Sequence, residues 1–355
     1  MRAASLDFLK RLLDTPGPSG FETAPARVWR EEASRFADQV TVDVTGNSVA
    51  AVNPDGSPRV MLAGHIDEIG LMIVHADAEG FLSFAPIGGW DAQVLVGQRV
   101  VILARSGPVA GVVGRKAVHL IKPDERDKAT KATDLWIDIG ARSKKEALRR
   151  VRVGDPAVLA SSTLALPGGR IASRSIDNRI GAFVVLEALR QLARRRPKAA
   201  VFAVATTQEE IAWAGGGART SAAAVDPHVA IVVDVTHATD HPGSSKSEHG
   251  DFSLGGGPVL SRGSSVNPLV FDLLATTAER AKIPYTVQAA PRDTGTDADA
   301  IYTARQGIAT GLVSVPNRYM HSPNEMVDTK DLERAAQLLA AFARRVTPTT
   351  DFVPR

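Results

Sequence analysis

Four short, nearly uninterrupted apolar runs constrain the fold of this chain more than any other feature of its sequence. They lie at residues 59–64, 200–205, 229–233 and 309–315. Runs of this kind, without regular polar alternation, are typical of strands that are buried on both faces of a parallel sheet. Segments with apolar residues at helical spacing lie at 177–194, 268–281 and 331–345. This alternation predicts an α/β fold with a mostly parallel central sheet flanked by helices.

The first part of the chain adds two predicted helices and two short strands. The first helix has Leu6, Leu9, Leu12 and Leu13 on one face and ends at TPGPSG, 15–20, where two prolines and two glycines prevent its continuation. The second helix is predicted at about 22–36. Short strands are predicted at 40–44 and 48–52, and a further one near 285–289.

The spacing of apolar residues changes between residues 69 and 164. Short alternating apolar segments, punctuated by Gly, Pro and Asp, replace the longer runs. Such spacing is typical of a small β-barrel or sandwich. A basic helix is predicted at 143–151 within it. We therefore predict a discontinuous α/β domain, 1–68 and 165–355, with an inserted small β-barrel domain at 69–164.

The composition excludes several kinds of site and partner. The 355 residues include no cysteine, which rules out disulfides, a thiolate zinc site, a cysteine nucleophile and a Cys-ligated iron–sulfur cluster. The net charge is only +3 and aromatic residues are 5% of the chain, so nucleic acid is not favoured as a partner. No apolar stretch approaches the roughly 18 residues that span a bilayer. Asp7 and Lys10 also interrupt the first apolar segment, where a signal peptide would need continuity. We expect a cytoplasmic globular protein that binds no membrane.

Side chains that can bind metal follow most of the predicted strands. These residues are His65, Asp67, Glu209, Glu210, Asp234 and His321, and Asp177 opens the helix at 177–194. The carboxyl ends of parallel strands meet at one edge of a sheet, where open α/β folds place their sites. Each residue alone has an ordinary explanation, such as a helix N-cap for Asp177 or a turn residue for Asp234. Together, the acids would repel one another unless cations lie among them, and metal explains the cluster best.

The ligand types narrow the choice of metal. Imidazoles and carboxylates without thiolates suit Zn²⁺, Co²⁺ or Mn²⁺, and the sequence does not choose among these. Two divalent ions carry four positive charges, while three liganding carboxylates and one ionised base carry four negative charges. A site for two metal ions per subunit is therefore balanced.

Five motifs in this sequence resemble metallopeptidase family 42, the clan MH group of tetrahedral, glutamyl and deblocking aminopeptidases. The motifs are GHIDEIG (64–70), SIDNR (175–179), TQEE (207–210), DVTHATD (234–240) and MHSP (320–323). They occur in the family's order, and the resemblance extends from TPGPSGFE, 15–22, to the last predicted helix. It implies a fold of the zinc-exopeptidase type and a metal-dependent aminopeptidase, a hydrolase that removes N-terminal residues from peptides with a free N-terminus.

The resemblance also implies a role for each motif. The metal ligands are His65, Asp177, Glu210, Asp234 and His321. Asp177 bridges the two ions, His65 and Asp234 complete one of them, and Glu210 and His321 complete the other. Glu209 is the general base, which takes a proton from a water held between the metals and passes it to the leaving amine. Asp67 orients the imidazole of His65.

Further residues are candidates for contact with the substrate. GTDA, 295–298, resembles the family's substrate-cleft loop, so Thr296 and Asp297 are among them. His237, Asp240 and Arg318 are added because they lie close in sequence to the implied ligands. The family's assembly implies a homo-oligomer, commonly a tetrahedral dodecamer built from dimers, in which the inserted domain serves oligomerisation or substrate access.

Three other functions remain open from the sequence. A deacylase or carboxypeptidase of the same clan would not require a free substrate amine. Some members of the family have carried endoglucanase labels, although a glycosidase needs two carboxylates and no histidine ligands. A catalytically silent assembly protein is the third, and the presence of every expected ligand argues against it. The preference of the S1 pocket, whether leucine-like, glutamyl or basic, is not determined by these motifs.

Overall fold

The computed structural model of the chain describes residues 1–122, 128–211 and 214–355. The strands are β1 (Gln39–Val42), β2 (Ser48–Val52), β3 (Arg59–His65), β4 (Gly70–Ala76), β5 (Leu82–Ile87), β6 (Arg99–Ala104), β7 (Gly107–Arg115), β8 (Leu135–Asp138), β9 (Pro156–Leu159), β10 (Leu164–Leu166), β11 (Arg170–Ser173), β12 (Ala200–Thr206), β13 (Val229–His237), β14 (Val259–Gly263), β15 (Thr286–Ala290), β16 (Ala309–Asn317) and β17 (Glu325–Asp328). The helices are α1 (Ala3–Asp14), α2 (Thr23–Ala33), α3 (Ala92–Leu95), α4 (Lys144–Arg150), α5 (Ile176–Arg194), α6 (Gly216–Val225), α7 (Lys246–His249), α8 (Pro268–Ala281), α9 (Asp297–Tyr302) and α10 (Thr329–Arg345).

An eight-stranded sheet has the order β1-β2-β12-β3-β13-β16-β14-β15. Its inner strands β12, β3, β13 and β16 pair with one another in parallel, whereas β1, β2 and β14 join by antiparallel pairing. The register pairs Thr206 with His65, so the carboxyl ends of β12 and β3 lie side by side. The predicted α/β fold with a mostly parallel central sheet is confirmed.

Both faces of the inner strands are covered by helices. Leu62 of β3 belongs to an apolar cluster with α1, α2, α5, α8 and α10, whereas Met61 and Ala63 belong to a second cluster with α6 and α9. Successive side chains of one strand are therefore buried on opposite faces, which explains why the apolar runs lack polar alternation.

A pair of glycines brings the start of α5 against β3. A Cβ at Gly64 would lie 2.5 Å from the backbone carbonyl carbon of Gly181, a distance that real Cβ atoms do not adopt. The absence of a side chain at Gly64 thus permits the close approach of helix and strand. As a result, Asp177 at the beginning of α5 lies next to His65 at the end of β3.

Strands β4, β5, β8, β7, β6 and β9 form a closed barrel with antiparallel pairing. It has its own apolar core, to which Leu71, Ile102 and Ile137 contribute fully buried side chains. The predicted barrel is confirmed, and the basic helix predicted at 143–151 is α4. A small antiparallel sheet, β10-β11-β17, connects the segment after the barrel to the segment before α10.

Several element boundaries differ from the sequence predictions. Helix α2 ends at Ala33, not near residue 36, and the hydroxyl of Ser34 donates to the carbonyl of Arg30 at this end. Strand β13 continues to His237 because it stays paired with β16 as far as Asn317, so Asp234 lies inside the strand. In the described part of the chain, every helix is too short or too polar to cross a membrane.

Candidate metal centre

The carboxyl ends of the inner strands bring the predicted ligands to one edge of the sheet. His65 is the last residue of β3, and Glu209 and Glu210 follow the end of β12. Asp234, on β13, lies in the strand next to β3. His65 and Asp234 are almost completely buried and Glu210 is half-buried, although each carries a polar or charged side chain.

Asp177 lies between the two predicted histidine ligands. Its Oδ1 is 3.3 Å from Nε2 of His65, and its Oδ2 is 3.4 Å from Nε2 of His321. Glu210 lies on the His321 side, with Oε2 3.3 Å from the same Nε2. One carboxylate therefore presents one oxygen to each histidine, which is the arrangement that a bridging ligand requires.

A second group of acids lies on the His65 side. Glu209 Oε2 is 3.7 Å and Asp234 Oδ1 is 3.9 Å from Nε2 of His65. Potential ligand atoms of His65, Glu209 and Asp234 lie within 4.8 Å of one another, and so do those of His65, Asp177 and Glu210. Since zinc bonds to nitrogen and oxygen are about 2.0–2.2 Å long, these spacings leave room for a cation in each group.

The chemistry of the donors fits divalent metal ions. Among the residues that the structure describes, none forms a hydrogen bond with the buried Oε1 of Glu210, although buried carboxylate oxygens are rarely left without a partner. Imidazoles and carboxylates without a thiolate are ligands that suit Zn²⁺, Co²⁺ and Mn²⁺. A cation beside Glu210 would satisfy this oxygen.

The acids of the site bind protons strongly when no cation neutralises them. Burial and the charges of Asp234 and Asp297 raise the pKa of Glu209 to about 10. Burial and the charge of Asp177 also raise the pKa of Asp234 and that of Glu210. Desolvation and like charges both disfavour an ionised carboxylate, so positive charge in these groups would release the protons.

The two histidines show the opposite electrostatic effect. Hydrogen bonds to Asp177 and Glu210 raise the pKa of His321 to about 11. Burial alone would lower the pKa of His65, but the charges of Glu209 and Asp67 raise it well above its usual value. Protonated imidazoles therefore place positive charge beside the carboxylates and stabilise them. A metal ion would take the place of these protons, because only neutral imidazole can be a ligand.

Asp67 lies behind His65 and accepts hydrogen bonds from several parts of the site. Its Oδ1 is 3.2 Å from Nδ1 of His65, which turns Nε2 toward the acids. The backbone N–H groups of Glu209 and Glu210 each donate to an oxygen of Asp67 at 3.2 Å. The hydroxyl of Ser19 donates to its Oδ2 at 2.6 Å. Asp67 therefore contacts a histidine and the segment that carries both glutamates.

A cavity of about 430 Å³ lies over the two groups of acids. His237 and Thr296, two of the predicted substrate contacts, are among its lining residues, together with Val235, Thr236, Gln288, Thr294 and Met320. Asp297 is buried and accepts a hydrogen bond from the hydroxyl of Thr206. Asp240 and Arg318 form an ion pair with each other at 2.7 Å, and Asp240 also accepts the backbone N–H of Leu254.

The structure adds residues that the sequence reasoning did not single out. Glu325 accepts the backbone N–H groups of Asp177 and His321, each at 2.9 Å. The carbonyl of Gly89, in the loop between β5 and α3, accepts the Nδ1–H of His321 at 2.7 Å. Glu325 follows His321 by four residues and could have been noted for that reason. The contact of Gly89 had no sequence signal, because 232 positions separate the two residues.

This chain is similar to known proteins over nearly its whole length. The profile of the M42 glutamyl aminopeptidase family matches residues 46–338. Lysyl aminopeptidase of Pyrococcus furiosus is 35% identical over 352 residues, which cover 98% of this chain and 99% of that protein.

Solved structures give the same result. A TET aminopeptidase from a Thaumarchaeota archaeon of marine sediment is 36% identical, with a TM-score of 0.92 over 97% of each chain. The TET1 peptidase of Pyrococcus horikoshii, which can assemble into a tetrahedron or a large octahedral shell, is 31% identical. Its TM-score is 0.85, and the match covers 96% of this chain and 100% of that chain.

Proposed function

The chain belongs to the M42 glutamyl aminopeptidase family, and we propose that it removes N-terminal residues from peptides with two metal ions and with Glu209 as the general base. The family resemblance of the five motifs is thereby confirmed, as is the enzyme class, a hydrolase of peptide bonds. The observation that carries the two-metal proposal is the position of Asp177, whose two oxygens face two different histidines.

Each ion would have its own set of ligands in this proposal. His65 and Asp234 would hold one ion, Glu210 and His321 would hold the other, and Asp177 would bind both. When bound, two ions of Zn²⁺ or Co²⁺, or of Mn²⁺, would polarise the scissile carbonyl and lower the pKa of the attacking water. The 3.3 Å between Oε2 of Glu210 and Nε2 of His321 and the 3.9 Å between Oδ1 of Asp234 and Nε2 of His65 support this division.

Glu209 is proposed to move the proton. Its side chain lines the cavity, and its backbone is held by the hydrogen bond to Asp67. Burial and neighbouring acids keep its pKa high, and positive charge nearby would bring that pKa down toward neutrality. The carboxylate could then accept a proton from water and give it to the leaving amine, a contribution of roughly 10²–10⁴-fold.

The substrate is proposed to be a peptide with a free α-amine. The relatives that this chain resembles are named aminopeptidases, which supports a free α-amine on the substrate. His237 and Thr296 line the cavity and are the proposed substrate contacts there. Asp240 and Arg318 would affect substrate binding through the ion pair that they form with each other. Asp297 would affect it through its hydrogen bond with the hydroxyl of Thr206.

The barrel is proposed to mediate assembly of a homo-oligomer, with residues 69–164 as an inserted domain and 1–68 with 165–355 as the catalytic domain. The tetrahedral form of the TET1 peptidase and a TET1 structure described as a dodecamer support a tetrahedral dodecamer. In the segment that follows strand β7 of the barrel, Val118 and Leu120 are 59% and 68% exposed, and neighbouring exposed apolar side chains are common at protein interfaces. Light scattering coupled to size-exclusion chromatography measures the subunit number directly.

Glycoside hydrolysis is less well supported by the geometry. A glycosidase needs two carboxylates that flank the bond with access to sugar and water. Here the imidazoles of His65 and His321 both point their Nε2 atoms at Asp177. Histidines in that position suit metal ligation, so the aminopeptidase is the function that we propose.

The test compares one leucine-initiated peptide with a free amine and the same peptide acetylated. Protein treated with a chelator is assayed before and after the addition of Zn²⁺ or Co²⁺. We expect cleavage of the free peptide only, and only after metal is restored. Equal cleavage of the acetylated peptide would indicate a deacylase or an endopeptidase, and activity that resists the chelator would remove the metals from the mechanism. Peptides that begin with lysine or glutamate then define the side-chain preference.

A further inference from the structure

Glu325 connects two of the proposed metal ligands through their backbones. Its Oε2 accepts the N–H of Asp177 and its Oε1 accepts the N–H of His321, each at 2.9 Å. The residue is only 1% exposed. Each oxygen of this one carboxylate is therefore committed to a different ligand residue.

The fold gives Glu325 this position in two ways. Strand β17 begins at Glu325 and pairs with β11 so that Glu325 lies opposite Ser173. Strand β11 leads directly into α5, where Asp177 lies. In the other direction along the chain, Glu325 follows His321 by four residues. Glu325 is thus the point at which the two ligand-bearing segments meet.

A carboxylate at this position is costly for the fold by itself. Among the described residues, its two oxygens bond to backbone N–H groups and to no cationic side chain. Burying a charge without a counter-charge is unfavourable, and Asp177 lies immediately beside it. A glutamine would avoid the charge, but its side chain has one acceptor oxygen, and its NH₂ group would face the second N–H donor.

We propose that Glu325 is a positioning residue for the metal centre, and this rests on the proposed metal-dependent function. By accepting both N–H groups, it holds Asp177 and His321 at the separation at which Oδ2 and Nε2, now 3.4 Å apart, can bind one ion. The bound cations in turn offset its charge. The carboxylate is present for the metal centre and not for the stability of the metal-free fold.

The test uses Glu325→Gln and a matched control, Asp331→Asn. Asp331 is also a completely buried carboxylate that accepts two backbone N–H groups, those of Gly255 at 2.7 Å and Gly257 at 2.8 Å, but it lies outside the metal centre. For each protein, Zn²⁺ binding to the chelator-treated form is measured by calorimetry, and the melting temperature of the metal-free form is measured separately.

We expect the two variants to differ in both measurements. Glu325→Gln should weaken one of the two Zn²⁺ binding events by about 10- to 100-fold, the usual effect of losing a group that orients a ligand. Its metal-free melting temperature should fall less than that of Asp331→Asn, because relief of the repulsion between Glu325 and Asp177 offsets part of the cost of the N–H donor that faces the new NH₂ group, whereas Asp331 has the guanidinium of Arg334 at 3.6 Å. Asp331→Asn should lower the melting temperature and leave Zn²⁺ affinity unchanged.

Two results would overturn the inference. One is Zn²⁺ binding by Glu325→Gln that equals the wild type. The other is a loss of metal-free stability like that of Asp331→Asn, which would make Glu325 a structural residue. If Glu325→Gln does not fold, Glu325→Asp keeps the charge and withdraws the oxygens by one methylene, and it should weaken Zn²⁺ binding at least tenfold; wild-type affinity in that variant overturns the inference as well. Failure of the wild type to bind Zn²⁺ at all would instead overturn the proposed metal-dependent function.

Discussion

Glu22 allows the electrostatics of the site to be tested from a residue that is not a proposed ligand. It is 6% exposed, and its Oε1 accepts the backbone N–H groups of Gly20 at 2.7 Å and Gln208 at 3.1 Å. Burial, followed by the charge of Asp67, raises its pKa from 4.5 to about 7. The folded protein therefore keeps a proton on Glu22 over a pH range in which the unfolded chain has lost it.

This difference fixes the sign of the pH dependence. Below pH 4.5 the carboxyl is protonated in both the folded and the unfolded state, and the contribution of its raised pKa to the free energy of unfolding is at its maximum. Between pH 4.5 and about 7, the unfolded chain ionises first, so the free energy of unfolding falls by about 1.4 kcal/mol per pH unit. The total loss attributable to Glu22 is about 3 kcal/mol, and it is complete above pH 7.

Glu22→Gln should remove this dependence. Both N–H donors bond to the same oxygen of Glu22, so the amide oxygen of glutamine can accept them. Urea unfolding of metal-free protein from pH 4.5 to 8 should show the stability of the variant rising relative to wild type by about 3 kcal/mol. Glu22→Ala should show the same relative rise from a lower starting value, because it also loses the hydrogen bonds. A difference between Glu22→Gln and wild type that stays constant with pH would refute the reasoning.

Three other substitutions test the centre itself. Gly89→Ala would place a Cβ 3.3 Å from Nδ1 of His321, which is close enough to shift the ring slightly, so one metal-binding event should weaken by up to about tenfold in calorimetry; unchanged binding would show that the loop does not position the ring. Asp177→Ala should lose both ions, and two ions per chain by mass spectrometry would exclude a bridging role. Glu209→Gln should retain its metal while turnover falls by roughly 10²–10⁴-fold, and normal turnover would remove Glu209 as the base.

The central sheet and the edge that carries the site could be predicted because both depend on local patterns. The apolar runs identified strands buried on both faces, and the parallel arrangement placed their carboxyl ends together. His65 and Glu209 were located in this way, since each lies at or just after a strand end. The position of Asp234 inside β13 was not predictable, because it depends on how far β13 remains paired with β16.

Contacts between distant segments were beyond the sequence. Asp240 and Arg318 were selected for their closeness to ligands along the chain, but the structure pairs them with each other, and their contact with substrate stays a prediction. Gly89 was not selected, since its contact uses the backbone carbonyl, a group that every residue has. Its contact with His321 exists because the loop after β5 extends from the barrel to the sheet edge.

The arrangement of backbone hydrogen bonds explains why a centre so rich in acids can keep its geometry. Two buried carboxylates, Asp67 and Glu325, accept the N–H groups of the four residues Glu209, Glu210, Asp177 and His321. The backbone under the ligands and the base is therefore fixed from behind, so little reorganisation is needed when a cation or substrate arrives. The same two carboxylates add negative charge to a region in which the other carboxylates already repel one another. Asp67 and Glu325 therefore both fix the positions of the ligands and make the binding of cations more favourable. A substitution that removes one of these charges should also make the ligands less well fixed.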